Sequence, residues 1–235
     1  MSSDFCLKLL SDFYGTKDAT PNLHNVISNG LSDRGLSQNA IDLFLFARKD
    51  CIVIACVDAC LMFYENDKVL KDLISSLVDD FRLTDEGHLE TFLGDNFNQK
   101  NHYTLEINQP HLMERVLEKL KLNDDAKMYD ASENCMLHKD KDGKRRIQEW
   151  NYRSVISMMS YLASRTRPDV LFAVHQCARV SSNPMLSHEE VVKRIGRCLK
   201  RTKDKLINFE FDPTKGIEVF AEADFAYSWF DFNSH

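Results

Sequence analysis

Residues 50–63, Asp50-Cys51-Ile52-Val53-Ile54-Ala55-Cys56-Val57-Asp58-Ala59-Cys60-Leu61-Met62-Phe63, constrain the fold of this chain more than any other stretch. Residues 51 to 57 and 60 to 64 are apolar runs rich in β-branched or aromatic side chains, and each is too short for an ordinary helix. Only Asp58-Ala59 separates them. The pattern reads as a buried β-hairpin carrying Asp58 at its tip. A third run, Ile41 to Ala47, precedes it, so the three together predict an antiparallel meander. An isolated hairpin is marginal in water and needs cover. Asn66 is placed to cap a helix in which Val69, Leu70, Leu73, Ile74, Leu77 and Val78 recur at helical spacing, and that helix would lie over one sheet face. Residues 22 to 36 predict a further helix ending near Gly35.

Further along, Phe81 to Leu83, Leu89 to Phe97 and His102 to Ile107 read as strands, separated by the polar breaks 84–87 and 98–101. Pro110 suits the first turn of a helix running to about Leu120. Residues 123 to 143 are polar with few periodic apolar positions and predict a surface connection. Beyond it, Trp150 to Ala163, Asp169 to Val180 and Ser187 to Arg201 have helical periodicity, and Leu206 to Phe211 and Ile217 to Ala223 read as two closing strands. The class is α+β, with a domain boundary expected between residues 121 and 146.

A 235-residue chain with 43% hydrophobic content can bury a core in one or two domains. Its formal net charge of −6 means that any nucleic-acid contact must be a local patch, because phosphate neutralisation supplies most non-specific affinity. One candidate patch exists. Lys193, Arg194, Arg197, Lys200, Arg201, Lys203 and Lys205 form a basic stripe along and beyond the last predicted helix, with Val191, Val192, Ile195 and Leu199 on its apolar side. The stripe reads either as a solvated face or as a set of phosphate contacts at Lys193, Arg197, Lys200 and Arg201. Lys144-Arg145-Arg146 reads as ordinary surface charge, and His175 as a packed helix residue. The seven cysteines are scattered without a C-x-x-C pair, which predicts free thiols in a reducing compartment, with Cys51, Cys56 and Cys60 packed in the core. With no apolar run long enough for a bilayer and no signal-peptide pattern, a soluble intracellular protein is expected.

Several separated blocks resemble the reverse transcriptase region of copia-type long-terminal-repeat retrotransposon polyproteins. Phe13-Tyr14-Gly15-Thr16-Lys17-Asp18-Ala19 is similar to the family's L-Y-G-L-K-Q-A, on the nucleotide side of the palm. Gly35-Leu36-Ser37-Gln38 with Asp42-Leu43-Phe44-Leu45-Phe46 resembles the lead-in to the catalytic hairpin, and Cys56-Val57-Asp58-Ala59 the hairpin itself, Y-V-D-D. Phe92-Leu93-Gly94 resembles F-L-G, Tyr152-Arg153-Ser154-Val155-Ile156 resembles Y-R-S-x-I, and Thr166-Arg167-Pro168-Asp169-Val170 resembles T-R-P-D-I. Phe220-Ala221-Glu222-Ala223-Asp224 is similar to Y-S-D-A-D, where the family's ribonuclease H domain begins.

The resemblance implies a partial palm over residues 1–120, a surface linker over 121–146, a helical thumb or connection region over 147–205, and a truncated start of a ribonuclease H-like domain over 206–235. It also implies RNA-directed DNA polymerase chemistry, with Mg²⁺ held by both hairpin aspartates and by a third on an earlier palm strand. Here Ala59 replaces the second aspartate. The earlier strand is expected upstream of the Tyr14, Gly15 and Lys17 remnant, which leaves Asp58 as one of three carboxylates and at best a weak metal ligand. No Mg²⁺ is then bound productively and activity is lost. Asp18 in place of the family's glutamine would repel a triphosphate, and Cys56 in place of tyrosine removes an aromatic wall. Glu222 and Asp224 are the ribonuclease H remnant, and the remaining carboxylates of that site would lie past His235. The implied partner is a primer–template duplex, with no membrane. The other reading is a non-catalytic module binding nucleic acid or protein. An open sheet edge left by the missing palm strand favours self-association.

Overall fold

The computed structural model describes residues 19–56, 59–101, 103–122, 137–140, 142–147, 149–212, 214–216 and 221. The chain divides into two compact units between Leu89 and Glu90. This division differs from the boundary expected between 121 and 146.

In the first unit, helix α1 (Ala19–Ser32) leads into strands β1 (Ser37–Gln38), β2 (Leu45–Arg48), β3 (Cys51–Cys56) and β4 (Ala59–Tyr64), followed by helix α2 (Asp67–Val78). The strands form an antiparallel sheet in the order β1-β2-β3-β4. The alternating burial of β3 puts Cys51, Val53 and Ala55 on the inner face. There they pack with Phe46, with Leu31 of α1, and with Leu73 and Leu77 of α2. Asn66 caps α2 as its sequence predicts, its side chain accepting from Val69 N at 3.2 Å. Arg34 ties the chain just past α1 to α2, donating to Ser76 Oγ at 2.9 Å and to Asp80 at 2.6 Å.

Two expectations fail in this unit for local reasons. The strand expected from Ile41 begins only at Leu45, because Asn39 Oδ1 accepts from the N–H groups of Ile41 and Asp42 while Asp42 Oδ1 accepts from Phe44 N. These side chains satisfy the backbone in consecutive turns and preclude a ladder. Phe81 to Leu83 is not a strand either. Phe81 N donates to Leu77 O at 2.8 Å, closing the end of α2, and the Phe81 side chain packs on the core.

The second unit contains strands β5 (Thr91–Phe92), β6 (Asp95–Asn101) and β7 (Thr104–Asn108), helices α3 (Pro110–Leu120) and α4 (Tyr152–Arg165), and a 3₁₀ turn at Pro168–Val170. Helices α5 (Leu171–Arg179) and α6 (Leu186–Arg201) and strand β8 (Ile207–Glu210) complete it. Its core joins Met113, Val116 and Leu120 of α3 to Val155, Met159 and Leu162 of α4, Val174 and Cys177 of α5, and Val192, Ile195 and Leu199 of α6. Helices α3 and α6 approach closely at Gly196, where a Cβ would lie 2.4 Å from Leu120 Cδ1.

The sheet of this unit corrects two further expectations. Leu89 to Phe97 is not one strand, because Leu93 and Gly94 both have positive φ, 52° and 85°, and turn the chain between the paired residues Phe92 and Asp95. Two consecutive positive φ values make a two-residue hairpin turn of the mirror-image type, which suits glycine at the second position. The strand expected at Leu206 to Phe211 is β8, and it pairs antiparallel with β7, Leu105 opposite Phe209 and Ile107 opposite Ile207. It therefore completes the sheet β5-β6-β7-β8. Its expected hairpin partner, Ile217 to Ala223, falls outside the described residues except for Ala221.

Candidate functional site

The register of β3 and β4 brings Cys56 opposite Ala59, so the two residues between the paired positions are Val57 and Asp58, one residue earlier than the break expected from sequence. Asp58 itself lies outside the described residues, as do Tyr14, Gly15, Lys17, Glu222 and Asp224. Ala59 is described, and it is the informative position. It lies half-buried as the first residue of β4, and its methyl group offers a metal no oxygen. Reverse transcriptases use Mg²⁺, a hard ion that takes carboxylate oxygens. The donor set at this hairpin does not fit a two-metal centre built on paired aspartates. Among the described residues, no group of three or more His, Cys, Asp or Glu side chains could hold a metal ion. Cys51 is buried as expected, but Cys60 is exposed on β4.

The basic stripe divides once its partners are considered. Val192, Ile195 and Leu199 face the core, so α6 presents its other side outward. Lys193 sits at the border with its Nζ 2.9 Å from Glu189 and 3.0 Å from Glu190. Burial works against its ammonium, but the two carboxylates outweigh that and hold its pKa above the ordinary lysine value. Arg197 is half-buried, whereas Lys200, Arg201, Lys203 and Lys205 are exposed. Lys205 also lies 3.6 Å from Asp169. The exposed cations of the stripe therefore lie mainly at the C-terminal end of α6, and Lys193 serves the fold.

Glu189, which sequence reasoning missed, explains why. Its side chain is fully buried, and Arg146 Nε reaches it at 3.2 Å from the other side. Arg146 in turn stacks over Trp150 at 4.4 Å and donates to the Trp150 carbonyl at 2.8 Å. The expectation that Arg146 is ordinary surface charge is thereby corrected. A buried carboxylate requires such partners, since leaving it unpaired costs several kcal/mol (about 3–5). His188, one residue earlier, accepts from Met185 N at its Nδ1 and donates from Nε2 to the His138 carbonyl at 2.9 Å. His175, expected to be packed, is exposed on α5.

The blocks Tyr152-Arg153-Ser154 and Thr166-Arg167-Pro168-Asp169 turn out to be joints between helices. Tyr152 is buried and donates its hydroxyl to the Cys177 carbonyl at 3.2 Å; burial pushes the Cys177 thiol up to about 12. Arg167 is 2% exposed and forks onto Asp169, with Nε to Oδ1 at 2.9 Å and Nη2 to Oδ2 at 2.8 Å. The same guanidinium donates to the Thr202 carbonyl at 3.0 Å and the Thr202 hydroxyl at 2.6 Å, closing the C-terminal end of α6. Its hydrogen bonds hold the Asp169 carboxyl below its ordinary value against the opposing effect of burial. Nearby, Arg165 Nε donates to the buried Asp95 at 2.9 Å and Tyr161 donates to the Leu93 carbonyl at 2.7 Å, strapping the β5–β6 turn to α4.

With this geometry in view, the comparisons decide the family. The sequence model of the reverse transcriptase (RNA-dependent DNA polymerase) family matches residues 1–133, more than half of the chain. The chain belongs to the reverse transcriptase family. It is 25% identical over 95% of its length to the retrovirus-related Pol polyprotein from transposon RE2 of Arabidopsis thaliana, and 25% identical over 95% to that from transposon RE1 of the same plant. It spans only 16% and 15% of those polyproteins. A transposon Ty5-1 protein of Saccharomyces cerevisiae is 20% identical over 94% of this chain and 73% of its own length. No solved structure matches. The region is that of a copia-type element, as the motifs imply. Among the described residues no helix is long and apolar enough to cross a membrane.

Proposed function

We propose that this chain is a reverse transcriptase segment that does not polymerise and that keeps weak, sequence-indifferent contact with nucleic acid through the cations at the C-terminal end of α6. Ala59 is the observation that carries the first half. Two-metal phosphoryl transfer needs carboxylate oxygens that bridge and position both ions, and a methyl group in place of one of the hairpin aspartates removes that bridge. Asp58 alone then binds Mg²⁺ weakly. The second half is supported by Arg197, Lys200 and Arg201 following one another along the side of α6 away from its apolar face, with Lys203 just beyond. On a chain of net charge −6, such contact is local and steeply salt-dependent. The partners of this reading are a primer–template duplex and, through a separate surface, another copy of the chain.

Primer extension by the purified protein on RNA and DNA templates, with Mg²⁺ or Mn²⁺, tests the first half, and no incorporation is expected. Template-dependent incorporation that disappears in Asp58→Asn would overturn it. Fluorescence anisotropy with a labelled duplex at about 50 mM salt tests the second half, because non-specific binding strengthens as counterions are diluted. Absence of binding there removes the nucleic-acid reading.

A further inference from the structure

We propose that Asp169 is a built-in brake on the nucleic-acid contact at the C-terminal end of α6, withholding Lys205 from phosphate. The inference rests on that reading of α6 and adds to it a residue that sets the affinity. Thr202, at the end of the helix, draws the parts together. Its carbonyl accepts from Arg167 Nη1 at 3.0 Å and from the backbone N of Lys205 at 3.0 Å, so the turn after α6 folds back beside the 3₁₀ turn that carries Asp169. Asp169 Oδ2 then receives two cations, Arg167 Nη2 at 2.8 Å and Lys205 Nζ at 3.6 Å.

An ion pair between exposed groups usually contributes little, because two long side chains must be ordered to make it. This pair differs on its acidic side. The buried Arg167 guanidinium already fixes the Asp169 carboxylate by both oxygens, so only Lys205 is left to order. Hydrogen bonds from Arg167 also hold that carboxyl below its ordinary value, which keeps it charged at neutral pH. A phosphate approaching the exposed Lys200, Arg201 and Lys203 therefore meets in Lys205 a charge already compensated, with a fixed negative charge beside it. The number of counterions released on binding is then one lower than the exposed cations at this end of α6 would give.

Fluorescence anisotropy of the full chain with a labelled duplex, from about 50 to 200 mM salt, tests the brake. Asp169→Asn keeps an oxygen for Arg167 and removes the charge. It should steepen the slope of log affinity against log salt by about 0.9, the value of one added phosphate contact, with binding tighter by about tenfold at 50 mM and about fourfold at 200 mM. Lys205→Gln should leave the slope of the wild type unchanged, and in the Asp169→Asn background should return it to the wild-type value. Asp204→Asn removes an equal charge next to Lys205 in the chain but outside the Arg167 fork, and should move the slope less than half as far. An unchanged slope in Asp169→Asn, a flatter one in Lys205→Gln alone, or an equal effect of Asp204→Asn would each overturn the brake while duplex binding by α6 stands. Binding by Asp169→Asn but not by the wild type would support the brake and remove the wild-type contact, and binding by neither overturns both. Should Asp169→Asn lose its fold by circular dichroism, Lys205→Gln alone decides. A lysine that meets phosphate gives up about 0.9 of slope when removed and a withheld one gives up none, while a wild type that does not bind would then overturn both readings.

Discussion

Arg167→Met removes four hydrogen bonds while keeping most of the aliphatic volume, which makes it the sharpest test of how the helical unit is held. Hydrogen bonds to charged groups contribute about 1.5–3 kcal/mol each in buried settings. The two to Asp169 count for less, because that carboxylate is 37% exposed and water can replace its lost partner. The two to Thr202 count nearly in full: the guanidinium that makes them is buried, and the carbonyl terminates α6. A loss of about 2–4 kcal/mol follows. At roughly 2–4 °C per kcal/mol for a chain of this size, the melting temperature should fall by about 5–15 °C. The pH dependence carries an independent sign. Asp169 has a folded-state pKa below its unfolded value, so its contribution is present above the unfolded pKa and is lost as pH falls through the folded one. The gap between wild type and variant should stay constant from neutral pH to about 5 and narrow below about 4. Arg167→Lys keeps the charge but not the fork and should recover less than half of the loss. Urea titrations followed by circular dichroism at pH 7 and pH 3 measure all three quantities. A gap under about 0.5 kcal/mol at pH 7, or one that widens on acidification, would refute the assignment of Arg167 as the joint between the 3₁₀ turn and α6.

Leu93→Gly should stabilise the protein by up to about 1 kcal/mol in urea titration, since Leu93 is exposed and held at positive φ, whereas Gly94→Ala should cost at least as much. Gly196→Ala should cost about 1–3 kcal/mol by forcing α3 from α6, and a double-mutant cycle with Leu120→Val should show coupling, because Leu120 is the atom group in the way. Changing Arg197, Lys200 and Arg201 together to glutamine should flatten the slope of log affinity against log salt by about 2–3 units for a duplex. Lys193→Gln should leave that slope unchanged while lowering stability, because it strips a partner from buried Glu189; a slope change from Lys193→Gln as large as one phosphate contact would contradict its assignment to the fold.

The helices were the most legible elements, and the reason is visible in α3. Proline at its first position and apolar residues at helical spacing delimit Pro110–Leu120, and the structure agrees at both ends. The turn at Leu93-Gly94 was hidden because leucine there continues an apolar run, and only the glycine beside it signals a reversal. Residues 41–44 read as the start of a strand by hydrophobicity, yet two short polar side chains, Asn39 and Asp42, supply the backbone with nearer partners than a neighbouring strand could. Ion pairs were the least legible of all. Nothing in the spelling of Arg146 says that it will meet Glu189 across 43 residues, although Glu189 and Glu190 at four and three residues before Lys193 were a readable sign that this lysine was already engaged.

The distribution of these features separates what the fold requires from what the proposed loss of polymerase chemistry would change. The family-like blocks in the second unit coincide with its structural obligations: Phe92-Leu93-Gly94 is a hairpin turn, Tyr152 spans α4 and α5, and Arg167 with Asp169 closes α6. Ala59, a departure from the family's hairpin motif, stands where the described structure shows no such obligation. At position 59 the backbone pairs with Cys56 whatever side chain is present, so alanine costs the β3–β4 ladder nothing, while under the proposed function it leaves the hairpin one metal ligand short. An aspartate there would add a carboxylate to a hairpin that already carries Asp58, and two like charges so close repel unless a cation lies between them. Alanine relieves that repulsion. Alanine at this position is therefore expected to be neutral or mildly favourable for stability, and Ala59→Asp, measured by urea titration without divalent metal, should destabilise the first unit. A more stable Ala59→Asp protein under those conditions would mean that the hairpin is built around a cation even in this chain.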